Sequence, residues 1–272
     1  MQPILPARRI QAGSFCGLGS VGRIRVRGVT SADSAAPVDV IDQVAEGTAR
    51  LLESVKGMSE TEVGEPSLLP GWTRGHVLAH MARNADSLVN LLTWARTGVV
   101  TPQYVSVSVR DQDIEDGAPR PLAEQLADVE ATAAHWLELA RTAPEAAWTA
   151  TVRNRQGGEM PGSFIPWMRL REVEIHHVDL GLGYQPADWP ESFVARLLPE
   201  AAIDLTKVAA KSEAPTTAFA VNAVDTGFTA TIGAGEPDHT VSGHASALLA
   251  WLLGRSDGAD LAGPLPVLPA WK

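Results

Sequence analysis

Apolar side chains recur every three or four residues through most of the first 210 positions of this chain. In residues 38–55, for example, Ile41, Val44, Leu51 and Val55 all fall on one side of a helix. A stripe of this kind must be buried against another element, so four successive stripes predict a four-helix bundle. The predicted helices cover residues 38–55, 73–98, 121–144 and 164–181, with a predicted loop at 99–119 and a further helix at 191–210.

The hydrophobic period changes beyond residue 210. Three short segments rich in Thr and Val are separated by Asp-Thr-Gly and Gly-Glu-Pro-Asp sequences, which are typical of turns. This pattern predicts antiparallel strands within residues 216–224, 227–235 and 239–243, followed by a helix at 244–253. The fold class is therefore predicted to be α+β, with a helical bundle followed by a small α+β domain.

The first 28 residues differ from the rest of the chain. They hold five arginines and no acidic residue, and they include Cys16, the only cysteine. No uninterrupted apolar segment follows the Arg8–Arg9 pair, which argues against an export signal. We predict that residues 1–34 are a disordered or misassigned extension, that 35–184 form the bundle, and that 187–272 form the smaller domain.

Charge and cysteine content exclude several classes of protein. The chain has 22 Lys and Arg against 32 Asp and Glu, a net charge of −10, which disfavours nucleic acid and anionic membranes as partners. It contains no apolar run long enough to span a bilayer. A single cysteine excludes a disulfide framework and predicts a cytoplasmic protein. Thiol chemistry would then need a thiol supplied from outside.

Four of the seven histidines lie in pairs on two predicted helices, His76 with His80 and His176 with His177. Glu172 lies one turn before His176, so a carboxylate and an imidazole share one helix face and could chelate an ion. His76 and His80 both qualify by spacing as a third ligand from a facing helix. Three protein ligands are typical of catalytic zinc, and imidazole favours zinc over magnesium, although nickel, cobalt and iron stay open.

Spacing alone leaves two interpretations of these residues. A Glu-x-x-x-His pair is common on helices by chance, and histidine pairs are often solvated or capping residues. Arg169 and Asp179 share the face of Glu172 and His176, and buried charges on a bundle helix need partners, which favours a metal site. Asp179 fits equally well as a surface acid in the last helical turn.

Several motifs together resemble the mycothiol-dependent maleylpyruvate isomerases of actinobacteria. They are PGWTRGHVLAHMARNADSLVNLLTWARTG, an RDxxIxxGA pattern at 110–118, RLREVEIHHVDLGLGY, and GHASALLAWLLGR followed by GPLPVLPAW. The resemblance extends from residue 39 to residue 271. It implies a DinB-like metal-binding four-helix bundle followed by a small sterol-carrier-like α/β domain.

The same resemblance implies a catalytic zinc ion and its ligands. Carried over to this sequence, the ligands are His80, Glu172 and His176. His76 is then a near neighbour, and His177 is a packing or supporting residue.

The resemblance further implies mycothiol as a cofactor and conversion of maleylpyruvate to fumarylpyruvate in the gentisate branch of aromatic ring-cleavage catabolism. The expected steps are zinc-assisted thiolate addition, bond rotation and elimination. We match the active-site arginine of this family to Arg255, which is expected to clamp a carboxylate of the dicarboxylate substrate, with Arg83 a weaker candidate. Arg255→Ala is therefore expected to reduce turnover strongly and to leave the zinc content intact.

Two other functions stay open at this point. A mycothiol S-transferase would use the same three ligands but consume the thiol in a conjugate. A protein without enzymatic activity would bind the metal structurally and use its second domain to carry a lipid or bind a regulatory partner. A fourth protein ligand, such as His76, would favour the protein without enzymatic activity.

Overall fold

The computed structural model describes residues 37–211 and 217–269, so the predicted extension at 1–34 lies outside the described residues. Within these ranges the helices are α1 (Val38–Lys56), α2 (Arg74–Thr97), α3 (Val107–Gly117), α4 (Leu122–Arg141), α5 (Glu145–Thr149), α6 (Ile165–Asp179), α7 (Glu191–Ala209) and α8 (Ala245–Leu252). The strands are β1 (Thr151–Arg153), β2 (Glu159–Pro161), β3 (Phe219–Ala223), β4 (Thr229–Ile232) and β5 (Thr240–Gly243). All six predicted helices are therefore confirmed, with ends that agree within a few residues.

Helices α1, α2, α4 and α6 form the predicted four-helix bundle. Helices α1 and α2 each pack against both α4 and α6. Helix α2 begins where the sequence predicts, because Thr73 Oγ1 accepts a hydrogen bond from the backbone N–H of His76. It ends at Gly98, whose φ of 73° is readily adopted only by glycine.

Helix α3 corrects the prediction of a loop over residues 99–119. Val107 and Val109 are exposed, and the buried residues of this helix are Ile114 and Gly117. Helix α3 therefore lacks the apolar stripe from which the six confirmed helices were predicted. Its first turn is capped by Ser106 Oγ, which accepts a hydrogen bond from the Val109 N–H (3.1 Å), and the helix packs against α2.

The C-terminal sheet has the order β4-β3-β5. Strands β3 and β4 are antiparallel as predicted, but β3 and β5 are parallel, so the prediction of purely antiparallel strands is wrong for β5. After β4 the chain returns to the start of β3, where the Asp238 N–H donates to the Ala218 carbonyl (2.9 Å). Strand β5 then runs beside β3 in the same direction. The antiparallel β1–β2 hairpin was not predicted either, since strands of three residues carry too little alternation.

One hydrophobic core joins the bundle to the C-terminal part. The rings of Trp167 on α6 and Phe193 on α7 are 5.6 Å apart, and Trp189 Nε1 donates to the Glu174 carbonyl (3.0 Å). Helix α6 is thus fixed from the bundle side and from the α7 side, which restricts the positions of its polar side chains. The domain boundary between residues 184 and 187 stays a prediction.

Across the described ranges, no helix combines the length and the apolar character needed to cross a membrane.

Candidate active site

Helices α2 and α6 bring together three of the side chains singled out in the sequence. His80 Nε2 lies 3.1 Å from Glu172 Oε2 and 3.1 Å from His176 Nε2, and these last two atoms are 3.2 Å apart. Tetrahedral ligands placed about 2.0–2.1 Å from one zinc ion are a little more than about 3 Å apart. The triangle of donor atoms therefore has the right size for a shared ion.

The chemistry of the donors also fits a transition-metal cation. Two imidazole nitrogens and one carboxylate oxygen form a ligand set that binds zinc in preference to magnesium. His176 Nδ1 lies 2.8 Å from Asp179 Oδ2, so this carboxylate accepts the Nδ1 proton, and Nε2 can bind a cation once it has lost its own proton. His80 is 6% exposed, so its ring is held by packing.

The three side chains differ in charge at neutral pH because their pKa values are shifted in different directions. Burial opposes ionisation of Glu172, but hydrogen bonds from His176 and His80 outweigh it and hold its pKa well below the usual value. Burial lowers the pKa of His80 to about 4. Burial also disfavours the charged form of His176, yet hydrogen bonds to Asp179 and Glu172 raise its pKa to about 9. A cation binding at neutral pH would therefore meet a carboxylate and a neutral imidazole, and would displace a proton from His176.

Asp179 connects this triangle to the C-terminal part of the chain. Its side chain is 1% exposed and accepts hydrogen bonds from Arg255 Nε (3.1 Å) and Nη2 (2.9 Å). Arg255 Nη1 donates to the Leu253 carbonyl (2.8 Å). The interpretation of Asp179 as a surface acid is therefore wrong. The structure places Arg255 beside the site, with its Nε–Nη2 edge bound to Asp179.

Two other candidate residues lie outside the triangle. His76 Nδ1 accepts a hydrogen bond from the Thr73 N–H (3.2 Å), so this ring completes the N-terminal cap of α2. Arg83 Nη2 lies 2.8 Å from Asp128 Oδ1, and Arg83 does not line the cleft that contains the triangle. The structure gives the third position of the triangle to His80 rather than His76.

His177 packs on the other side of α6. Its ring stacks on Tyr184 with centroids 3.9 Å apart, and its Nε2 lies 2.8 Å from Ser54 Oγ. Burial, together with the nearby positive charge of Arg50, lowers its pKa to about 4. This placement matches the packing role expected of His177.

The lowered pKa of His177 predicts a loss of stability in acid. Below its unfolded pKa of about 6.5 the unfolded chain binds a proton that the folded chain excludes down to about pH 4, so stability falls as the pH falls through this window. We expect the wild type to lose about 2 kcal/mol more than His177→Gln between pH 7 and pH 5. Urea unfolding of both proteins with a chelator present measures this difference, and equal losses would contradict the assignment.

The triangle lies in a cleft of about 860 Å³, a volume typical of small-molecule sites. Its lining includes Trp72 beside His80, Arg110 of α3, Arg155 at the tip of the β1–β2 hairpin, and Lys207 of α7. The sequence predicted no role for Arg110 or Arg155. Arg110 begins the RDxxIxxGA pattern, so its part in the site could have been predicted from that motif. Arg155 lies in the β1–β2 hairpin, where we found no motif.

Comparison with known proteins places the chain in a family. Residues 44–181, just over half of its length, match the family model described as the mycothiol maleylpyruvate isomerase N-terminal domain. The chain belongs to the mycothiol maleylpyruvate isomerase family. This membership confirms the resemblance seen in the sequence and the prediction of an isomerase.

Solved structures agree with this family assignment. A crystal structure of the mycothiol-dependent maleylpyruvate isomerase is similar to this chain with a TM-score of 0.81 and 30% sequence identity, covering 86% of this chain and 97% of that one. A variant of that isomerase with one histidine replaced by alanine gives a TM-score of 0.80 with the same identity and coverage. The similarity confirms the α+β fold class. No curated protein matches the chain.

Proposed function

We propose that this member of the isomerase family converts maleylpyruvate to fumarylpyruvate, with mycothiol as the thiol and a zinc ion held by His80, Glu172 and His176. The observation that carries the proposal is the triangle of donor atoms inside a cleft of a chain that belongs to this family. Aromatic ring-cleavage catabolism in the cytoplasm, as expected from the sequence, is part of the proposal.

The reaction requires a temporary loss of double-bond character in the substrate. The cis double bond becomes a single bond when a thiolate sulfur adds to one of its carbons and an electron pair moves toward the conjugated carbonyl oxygen. Rotation about the new single bond, return of the electron pair and departure of the same sulfur give the trans isomer. No atom is gained or lost, and the thiol is recovered.

A bound zinc ion would lower the pKa of a thiol and stabilise negative charge on an oxygen. The side chains of the protein prepare the site for this chemistry. Asp179 keeps the His176 proton on Nδ1, and Arg255 offsets the charge of the buried Asp179 carboxylate. Trp72 packs edge-on against the His80 ring, with centroids 5.6 Å apart, and restricts its rotation. The described residues contain no cysteine, which agrees with a thiol supplied from outside.

The direct test is an isomerisation assay on the full chain before and after removal of metal by a chelator. We expect turnover of maleylpyruvate to need both mycothiol and the metal, to fall to the background rate when either is removed, and to return when zinc is restored. The thiol concentration should be unchanged at the end of the reaction.

Two results would contradict the proposal. Turnover that persists in the chelated protein would exclude the metal, and turnover without mycothiol would exclude the thiol. Consumption of mycothiol with formation of a conjugate would identify an S-transferase instead.

A further inference from the structure

Arg110 extends from α3 to the wall of the cleft beside His80. Its Nη2 lies 3.3 Å from His80 Nδ1, and its side chain is 16% exposed. It is therefore a mostly buried guanidinium group that contacts one corner of the proposed metal triangle.

Among the described residues, no acid pairs with the Nε–Nη2 edge of the Arg110 guanidinium group. Nη1 pairs with Asp111 Oδ1 (2.7 Å), and the Asp111 side chain is 55% exposed. Nε is buried and has no hydrogen-bond partner among the described residues. Nε and Nη2 form the side-on edge that grips a carboxylate with two parallel hydrogen bonds. Within the part of the chain that the structure describes, His80 Nδ1 is the one hydrogen-bond acceptor at that edge of Arg110, and it is contacted by Nη2 alone.

Metal binding would free this edge further. If His80 gives its Nε2 lone pair to a cation, its proton resides on Nδ1, and it then has no lone pair for the Arg110 N–H. Two hydrogen-bond donors would then face each other, and the unsatisfied Nε–Nη2 edge of Arg110 would need an acceptor from the cleft.

Arg255 differs from Arg110 at the corresponding edge. Both of its side-on nitrogens are bound to the buried Asp179, and its third nitrogen donates to a backbone carbonyl. A substrate carboxylate would have to displace Asp179 to reach them. Of these two arginines, Arg110 is therefore the one whose side-on edge meets no carboxylate among the described residues, whereas Arg255 could offer a substrate only its remaining Nη N–H groups.

We propose that Arg110 binds one carboxylate of the dicarboxylate substrate through its Nε–Nη2 edge. The inference rests on the proposed function, because it assumes a dicarboxylate bound near the His80 triangle. A dianion approaching a chain of net charge −10 needs local positive charge, and Arg110 supplies it next to the reacting centre.

The test measures binding of two non-reacting probes to the zinc-loaded protein by calorimetry. Maleate carries two cis carboxylates, and isocrotonate is the matching cis acid with one. We expect Arg110→Gln to reduce the preference for maleate over isocrotonate by at least about tenfold, since a charge-assisted pair is lost. Arg110→Lys keeps the charge but not the fork, so it should lose part of this preference.

Arg83→Gln is the matched control, because Arg83 lies one turn from His80 but outside the cleft. It should bind both probes as the wild type does. An unchanged maleate preference in Arg110→Gln, or a wild type with no such preference, would overturn the inference. Metal content is measured on each sample. If Arg110→Gln loses its metal, the affinity of Arg110→Lys for maleate relative to isocrotonate decides the test instead. Because binding is measured without turnover, a protein that binds maleate through Arg110 but does not isomerise maleylpyruvate would refute only the proposed function.

Discussion

Replacement of His80 with alanine is expected to lower turnover more than about a hundredfold and to lower the amount of bound metal. Loss of a residue that merely supports a metal ligand already costs about 10–100-fold in affinity or activity, and His80 supplies one of three donor atoms. Glu172→Gln should behave in the same way. Elemental analysis of the purified variants, together with the isomerisation assay, measures both effects.

His76→Gln is the control for this prediction. His76 lies one turn before His80 on α2, and its ring caps the helix instead of joining the triangle. It should keep its metal and lose only about 1 kcal/mol of stability, the usual cost of a weakened cap. A metal-free His76→Gln beside a fully loaded His80→Ala would show that the ligand had been assigned to the wrong histidine.

Arg255→Ala is expected to lower the free energy of unfolding by about 3 kcal/mol, because it leaves the Asp179 carboxylate buried without its cationic partner. Asp179 also orients His176, so zinc affinity should fall about 10–100-fold and turnover should fall with it. The structure therefore revises the expectation that zinc binding is untouched. Zinc content would stay intact only when the metal is saturating.

A double-mutant cycle tests this positioning role. In an Asp179→Asn background, Arg255→Ala should cost much less stability, since no carboxylate remains to be compensated. Urea unfolding in the presence of a chelator measures the coupling, and zinc titration follows the affinity. If the two substitutions add independently, Arg255 does not act through Asp179.

Local sequence was sufficient for the six helices that carry an apolar stripe, but not for α3 and α5. Thr73 and Gly98 mark the ends of α2 through their own hydrogen-bonding and backbone preferences. Glu172 and His176 share a face because the helical period places residues four apart side by side. Each of these features depends on residues within one or two turns, so it can be read without knowing the fold.

Tertiary structure decided the features that depend on packing between distant segments. His76 and His80 have equivalent spacing, and only the packing of α2 on α6 brings His80 to within 3.1 Å of His176. The contact of Arg110 with His80 joins residues 30 positions apart. The hydrogen bond from Arg255 to the buried Asp179 joins residues 76 positions apart. The direction of β5 likewise follows from the path of the chain after β4. Such contacts form because distant side chains share one core and one cleft. Hydrophobic periodicity describes single segments, so it does not predict which segments share them.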